Sequence, residues 1–339
     1  MSEVRLDTAI VGAGPCGIAA GVAASRAGLR TALFERGAVV HSIYRYPTYT
    51  TFFSGAEKLE VGGVPFTIAD DKPTRREALR YYRRVVEFFD LDVRQYHDVL
   101  EIGGSRGDFV LRVRDGTGRE GEICAAAVII ATGYFDSPNR LEVPGADLPK
   151  TVHYFREPFP YYAQDVLVVG GGNSAADAAL TCWREGARVT MAHLFAELDP
   201  GIKPWVRPDL ENRLAEGSIP MLWEHEVVEI RPGEVELRDL RSGEMVVLPN
   251  DWVLSMTGYT PDYSLLRSAG VHVDAETGVP EHDAATFETN VPGIYVAGVL
   301  VAGYDANRIF IENGKFHGQR IVANLGGAGA ASESPSRRL

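Results

Sequence analysis

Asp7-Thr8-Ala9-Ile10-Val11-Gly12-Ala13-Gly14-Pro15-Cys16-Gly17 is the stretch that decides the fold. A short apolar, partly β-branched run predicts a strand, and the glycine-rich turn after it predicts a phosphate-binding turn opening a helix. Gly12 permits the tight bend, Gly14 lets the main chain approach a pyrophosphate, and Gly17 allows close packing of helix on sheet. The alanine-rich segment from Ile18 to Ala27 reads as that helix, whose unpaired N–H groups and positive dipole end would face the phosphates. A second strand, Thr31-Ala32-Leu33-Phe34, delivers Glu35. An acid about 20 residues past the turn is placed to accept hydrogen bonds from an adenosine ribose. A plain βαβ unit without a ligand is the alternative, and the acid weighs against it.

The construction recurs half a chain later. Asp165-Val166-Leu167-Val168-Val169 precedes Gly170-Gly171-Gly172-Asn173-Ser174-Ala175, and a helix is expected from Ala175 to Trp183. One glycine turn is weak evidence; two in matching strand–turn–helix contexts predict two dinucleotide sites, with Gly170, Gly172, Asn173, Ser174 and Ala175 at the second. The strand Arg188–Ala192 ends in His193-Leu194-Phe195 rather than an acid. A carboxylate there would repel a 2′-phosphate, so the sequence favours NADPH over NADH, with His193 at the strand exit and Lys203 and Arg207 as candidate positive charges. Solvated loop charges are the alternative for Lys203 and Arg207.

Composition bounds the rest. A chain of 339 residues with 45% hydrophobic residues suits two ordinary α/β cores. No apolar run approaches the about 20 residues of a membrane span. Met1–Leu6 lacks a signal peptide's charged start and apolar core, so the cytoplasm is expected. Three widely spaced cysteines, Cys16, Cys124 and Cys182, suggest neither a disulfide framework nor a metal site. The net charge of −12 argues against nucleic acid as a partner.

Between the turns, an aromatic loop runs from Tyr44 to Phe53. The capping box Thr74-Arg75-Arg76-Glu77 then starts a helix rich in arginine, either a solvated face or a landing site for an anionic substrate. Ala126–Ile130 leads to Ala131-Thr132-Gly133, and Trp252–Met256 leads to Thr257-Gly258. These Thr-Gly exits predict two domain crossings that bracket the second unit as an insertion. The expected organisation is α/β, with two Rossmann-like domains: residues 1–148 and 258–325 form one, 149–257 the inserted other, and 326–339 a disordered tail.

Gly12-x-Gly14-x-x-Gly17 with Glu35, Ala131-Thr132-Gly133 and the second Gly-x-Gly-x-x-Ala resemble the thioredoxin-reductase-like flavoproteins. More narrowly, the chain resembles the YpdA-type bacillithiol disulfide reductases. That likeness rests on Gly14-Pro15-Cys16-Gly17, Ser42-Ile43-Tyr44-x-Tyr46-Pro47, Thr51-Phe52-Phe53-Ser54, Glu57-Lys58-Leu59-Glu60, Asp209-x-Glu211-Asn212-Arg213 and Ile309-Phe310-Ile311-Glu312-Asn313-Gly314. It implies FAD on the discontinuous domain, with Pro15, Thr132, Gly133, Gly298 and Ile309 joining the glycines and Glu35. It further implies NADPH on the inserted domain, a small-molecule thiol disulfide as substrate, and a homodimer or higher oligomer.

Two departures stand out. Thioredoxin reductases proper carry a Cys-x-x-Cys dithiol in the nicotinamide domain, and this chain has none. The Gly-Asp that contacts FAD in the wider class here reads Gly298-Val299. Cys16, at the start of the helix facing the pyrophosphate, is the candidate redox residue, because a helix N-terminus lowers a thiol pKa. Nearby phosphates oppose that shift, and a small residue fitted beneath the cofactor is the alternative. Cys16 either attacks the disulfide or lines a site where the flavin acts directly. A ferredoxin or flavodoxin reductase, and an NADPH oxidase or redox sensor, are the other readings; Arg45, Arg75 and Arg308 are candidate contacts for substrate carboxylates.

Overall fold

The computed structural model describes residues 5–305 and 308–329. The chain divides into two compact units, one of Met1–Tyr44, Thr50–Asp136 and Pro261–Leu339, the other of Arg45–Tyr49 and Ser137–Thr260.

In the first unit, β1 (Leu6–Val11), β2 (Thr31–Glu35), β3 (Asp92–Gln95), β4 (Asp98–Ser105), β5 (Asp108–Arg114) and β6 (Glu120–Ile130) lie in the order β3-β2-β1-β6-β5-β4. The strand Ile294–Val296 pairs in parallel with β6 as well. β6 serves two ladders. Its first half runs antiparallel to β5, and its second half runs parallel to β1, from Leu6 opposite Ala125 to Val11 opposite Ile130. The composition follows the pairing. β1 is apolar almost throughout because a parallel strand is covered on both faces, whereas β5 alternates buried Phe109, Leu111 and Val113 with the half-buried Val110 and exposed Arg112 between. The helix Pro15–Arg26 follows β1, and its small residues let the helix His317–Gly329 approach: a Cβ on Gly318 would collide with Ala20. Residues 326–329, expected in the tail, continue this last helix, and 330–339 lie outside the described residues.

The second unit is built on a parallel sheet of β7 (Thr151–Val152), β8 (Asp165–Val169), β9 (Arg188–His193), β10 (Met221–Trp223) and β14 (Trp252–Ser255), ordered β10-β9-β8-β14-β7. Val166 and Val168 face the helix Asn173–Arg184 through Ala175, Ala176 and Ala179. Leu167 and Val169 face the other way, onto a three-stranded antiparallel sheet of β11 (His225–Arg231), β12 (Glu234–Asp239) and β13 (Met245–Pro249). The result is three layers around the central sheet.

This unit begins at Ser137, earlier than the 149 drawn from the sequence, because Leu141, Val143 and Leu148 pack into its core. Asn139 pins the two crossing segments together. Its amide donates to the Thr257 carbonyl at 3.0 Å and its backbone N–H to the Gly258 carbonyl at 3.0 Å, while Thr260 Oγ1 donates to its Oδ1 at 2.7 Å. The aromatic loop is also divided. Thr48 N–H donates to the Arg156 carbonyl at 2.7 Å, and the Arg45 guanidinium lies 3.7 Å from the Tyr154 ring centroid.

Candidate functional site

The same turn is built twice, bond for bond. Gly12 N–H donates to the Phe34 carbonyl at 2.8 Å, as Gly170 N–H does to Ala192 at 2.9 Å. Ala131 N–H returns to Val11, and Met256 N–H to Val169, each at 2.8 Å. Both leading glycines occupy the left-handed side of backbone space, φ +104° at Gly12 and +133° at Gly170. A Cβ on Gly12 would sit 2.5 Å from the Ala131 carbonyl oxygen, and one on Gly170 would collide with that of Met256. Neither position accepts a side chain.

The third position differs between the copies. A Cβ on Gly17 would collide with the Gly12 carbonyl, whereas Ala175 is accommodated. The middle glycine is different again. Gly14 and Gly172 are helix N-caps in extended conformation with no capping side chain, so the first N–H groups of each helix are left for another acceptor. A Cβ on Gly14 would meet nothing within 4 Å, and the same holds for Gly133 at φ +74° beyond β6. Gly14 therefore keeps space open rather than relieves a protein contact, whereas Gly133 is also required by its left-handed backbone.

Glu35 ends β2 almost fully buried. Its Oε2 accepts from Ala13 N–H at 2.9 Å and its Oε1 from Gly37 N–H at 2.8 Å. Burial raises its pKa, and the two backbone hydrogen bonds oppose that rise. Each oxygen keeps acceptor capacity for a ribose hydroxyl.

Cys16 lies at the helix start, but its electrostatics differ from the expectation of a lowered pKa. Burial, reinforced by Glu312, pushes the thiol up to about 12. Desolvation is the larger of the two causes, although the residue as a whole is only partly buried. Its surroundings are glycines: a Cβ on Gly314 would lie 2.9 Å from Sγ, and one on Gly298 3.2 Å. Ile309 borders the same cage, its Cγ2 being 3.2 Å from the Cβ position of Gly314. Ser54 hydrogen-bonds to Glu312, which ties the loop after Phe53 to this corner. Cys182 is buried in the Asn173–Arg184 helix with its thiol likewise pushed up to about 12, and Cys124 lies in β6. Thr132 lies just past the end of β6, beside the open position of Gly133.

At the second turn, Asn173 turns its amide to the protein, donating to the Gly201 carbonyl at 2.9 Å and accepting from Lys203 N–H at 3.0 Å. It thereby fixes the 199–203 loop beside the turn. Ser174 is exposed in the first helical turn, and His193 packs on Gly171, where a Cβ would lie 2.5 Å from Nε2. Burial lowers the His193 pKa against the opposing pull of Asp199.

Asp199 is the residue that sequence reasoning missed. Its N–H donates to the Gly171 carbonyl at 3.0 Å, and its Oδ2 lies 3.7 Å from the Cβ position of Gly172. A loop thus brings near the turn an acid of the kind the end of β9 lacks. Arg207 is engaged by Glu211 at 2.7 Å and by the Asp199 carbonyl at 3.4 Å. Of the arginines considered for substrate, Arg75 holds the Ile43 and Tyr44 carbonyls, Arg45 covers Tyr154, and Arg308 lies 4.0 Å from Asp305.

A family model for pyridine nucleotide-disulphide oxidoreductases matches residues 9–298, a span that contains both turns. The chain belongs to that family. Among relatives of this pyridine nucleotide-disulphide oxidoreductase, bacilliredoxin reductase Bdr of Bacillus subtilis (strain 168) is 44% identical over 317 residues, 93% of this chain and 96% of that protein. The solved structure of bacillithiol disulfide reductase Bdr (YpdA) from Bacillus cereus superposes with a TM-score of 0.93 at 41% identity, covering 96% of this chain and 100% of that one. Its counterpart from Staphylococcus aureus gives 0.90 at 40%, covering 96% and 99%. The family's oxidoreductases use FAD and NADPH, and the doubled turn with two uncapped helix N-termini fits two pyrophosphates. Among the described residues, no helix is long and apolar enough to cross a membrane.

Proposed function

We propose that this chain is an NADPH-dependent flavoprotein that reduces the disulfide of a small thiol, with bacillithiol disulfide as its substrate. The observation that carries the reading is a doubled dinucleotide turn in a chain with no dithiol, since its three cysteines are free and Cys182 is buried. A relay through paired protein cysteines is unavailable to it. Full-length similarity to proteins described as bacillithiol disulfide and bacilliredoxin reductases supports the same substrate class.

In this reading Gly12, Gly14, Pro15 and Gly17 cradle the FAD pyrophosphate, Glu35 receives the ribose, and Thr132, Gly133, Gly298 and Ile309 line the rest. Gly170, Gly172, Ser174 and Ala175 form the NADPH turn, with His193 against it and Asn173 holding the loop that carries Lys203. Bound FAD supplies two-electron chemistry: NADPH and one proton are consumed, the S–S bond breaks, and two thiols and NADP⁺ leave. Cys16 lines the cradle as the candidate redox residue; its thiol, pushed up to about 12, must lose its proton before it can attack the disulfide, and direct reduction leaves it as a lining residue. Acidic charge and free thiols support a cytoplasmic enzyme without nucleic-acid partners, and the resemblance supports a homodimer.

The test is anaerobic. NADPH is added to the purified flavoprotein, then bacillithiol disulfide, while flavin absorbance is followed. Repeated bleaching and recovery over many turnovers is expected. Bleaching by NADPH with no recovery on adding the disulfide refutes the substrate and favours ferredoxin or flavodoxin reduction.

A further inference from the structure

His317 opens the last helix, 6% exposed, and none of the chemistry above uses it. Its Nδ1 accepts the Gly298 N–H at 3.2 Å in a buried position. An imidazole accepts at Nδ1 only when that nitrogen is unprotonated. Its surroundings keep it so: burial, then the charges of Arg320 and His282, push its pKa down to about 4.

The ring is also held in place. It stacks on Phe287 at 4.2 Å between centroids and 19° between planes, and Phe287 stacks with His282 and carries the Arg320 guanidinium 5.4 Å from its centroid. Phe287 has φ +61°, a region a bulky residue rarely occupies. It is locked there by its N–H to Asp283 at 2.8 Å and its carbonyl to Val296 N–H at 3.0 Å. A strained residue held this firmly points to a functional constraint nearby.

That neighbour is Gly298. It follows the strand Ile294–Val296 at φ +72° and begins the short turn Gly298–Ala302. On its other side it lies, with Gly314, close against Cys16 Sγ, and Cys16 is itself only partly buried. We propose that His317 is a positioning residue that fixes the Gly298 amide and, through it, the glycine backbone that packs against Cys16 and limits access to its sulfur. The proposal rests on the functional reading only in placing this corner at the flavin cradle.

The experiment measures alkylation of Cys16 by iodoacetamide in the holoenzyme, read by mass spectrometry of the Cys16 peptide, without NADPH or disulfide present. In His317→Leu the Gly298 N–H loses its acceptor, and Cys16 should label about tenfold faster than in the parent. His317→Asn sets an amide oxygen near the Nδ1 position and should restore the parental rate. Should the leucine variant not yield folded protein, His317→Gln, polar but with its acceptor one bond further out, takes its place and should label faster than the asparagine variant. Parental labelling in the leucine or glutamine variant overturns the proposal. So does an asparagine variant as reactive as the variant that lacks the acceptor, or a matching rise at Cys182, which would report general unfolding. Because no turnover is read, failure of bacillithiol disulfide as substrate leaves the outcome interpretable.

Discussion

Gly14→Ala separates what a glycine does for the protein from what it does for a ligand. Gly14 has φ −70° and ψ 175°, which alanine adopts freely, and its Cβ would meet no protein atom within 4 Å. Alanine is a poorer N-cap than glycine by up to about 1 kcal/mol. The loss of unfolded-chain entropy returns about 0.4–1 kcal/mol. The apoprotein should therefore unfold within about 1 kcal/mol of the parent. On the proposed function FAD should respond differently, because the new methyl would fill the open position assigned to the approach of its pyrophosphate. Overfilling a close-fitted contact costs about 1–3 kcal/mol, a five- to 150-fold weakening at roughly 1.4 kcal/mol per tenfold. The assay is titration of apoprotein with FAD beside thermal unfolding of the same sample. Unchanged FAD affinity, or an apoprotein several kcal/mol less stable, would refute the argument that Gly14 keeps space for a ligand.

Gly170→Ala should fail in the opposite way, losing about 1–3 kcal/mol of stability as well as NADPH binding, because its Cβ collides with the Met256 carbonyl at φ +133°; calorimetric unfolding with and without NADPH checks both. His317, with a pKa lowered from 6.5 to about 4, takes up its proton more readily in the unfolded chain. Its contribution is complete above about pH 6.5 and disappears as pH falls to about 4, on the order of 3 kcal/mol across that window. Denaturant midpoints over this range should fall less steeply in His317→Asn, and identical slopes would contradict the burial argument.

Much of this protein is legible in order along the chain. Gly12, Gly14, Gly17 and Glu35 announce one cradle because a strand, a turn and a helix are local events, set by backbone conformations available to glycine and by a carboxylate one strand later. Gly170 and Gly172 announce the second by the same rule. The insertion follows from finding the two in one chain, with Thr-Gly exits on either side. What the spacing does not carry is long-range packing. Leu141, Val143 and Leu148 move the edge of the inserted unit to Ser137 because they have a core to join, and Arg45–Tyr49 join that unit through contacts over a hundred positions away.

The chemistry divides along the same line. Cys16 at a helix start reads as an activated thiol, yet Gly298 and Gly314, some three hundred residues later, pack against it, and desolvation with the charge of Glu312 pushes its pKa up. The missing acid after β9 reads as an open welcome to a 2′-phosphate, until the loop bond from Asp199 to Gly171 brings a carboxylate to the turn. The sequence by itself determined where the two glycine turns and their uncapped helix starts form, because such turns and helix termini act through their own backbone. Only the tertiary structure decided the charge state of the groups around them, because desolvation depends on which distant segments close over a side chain.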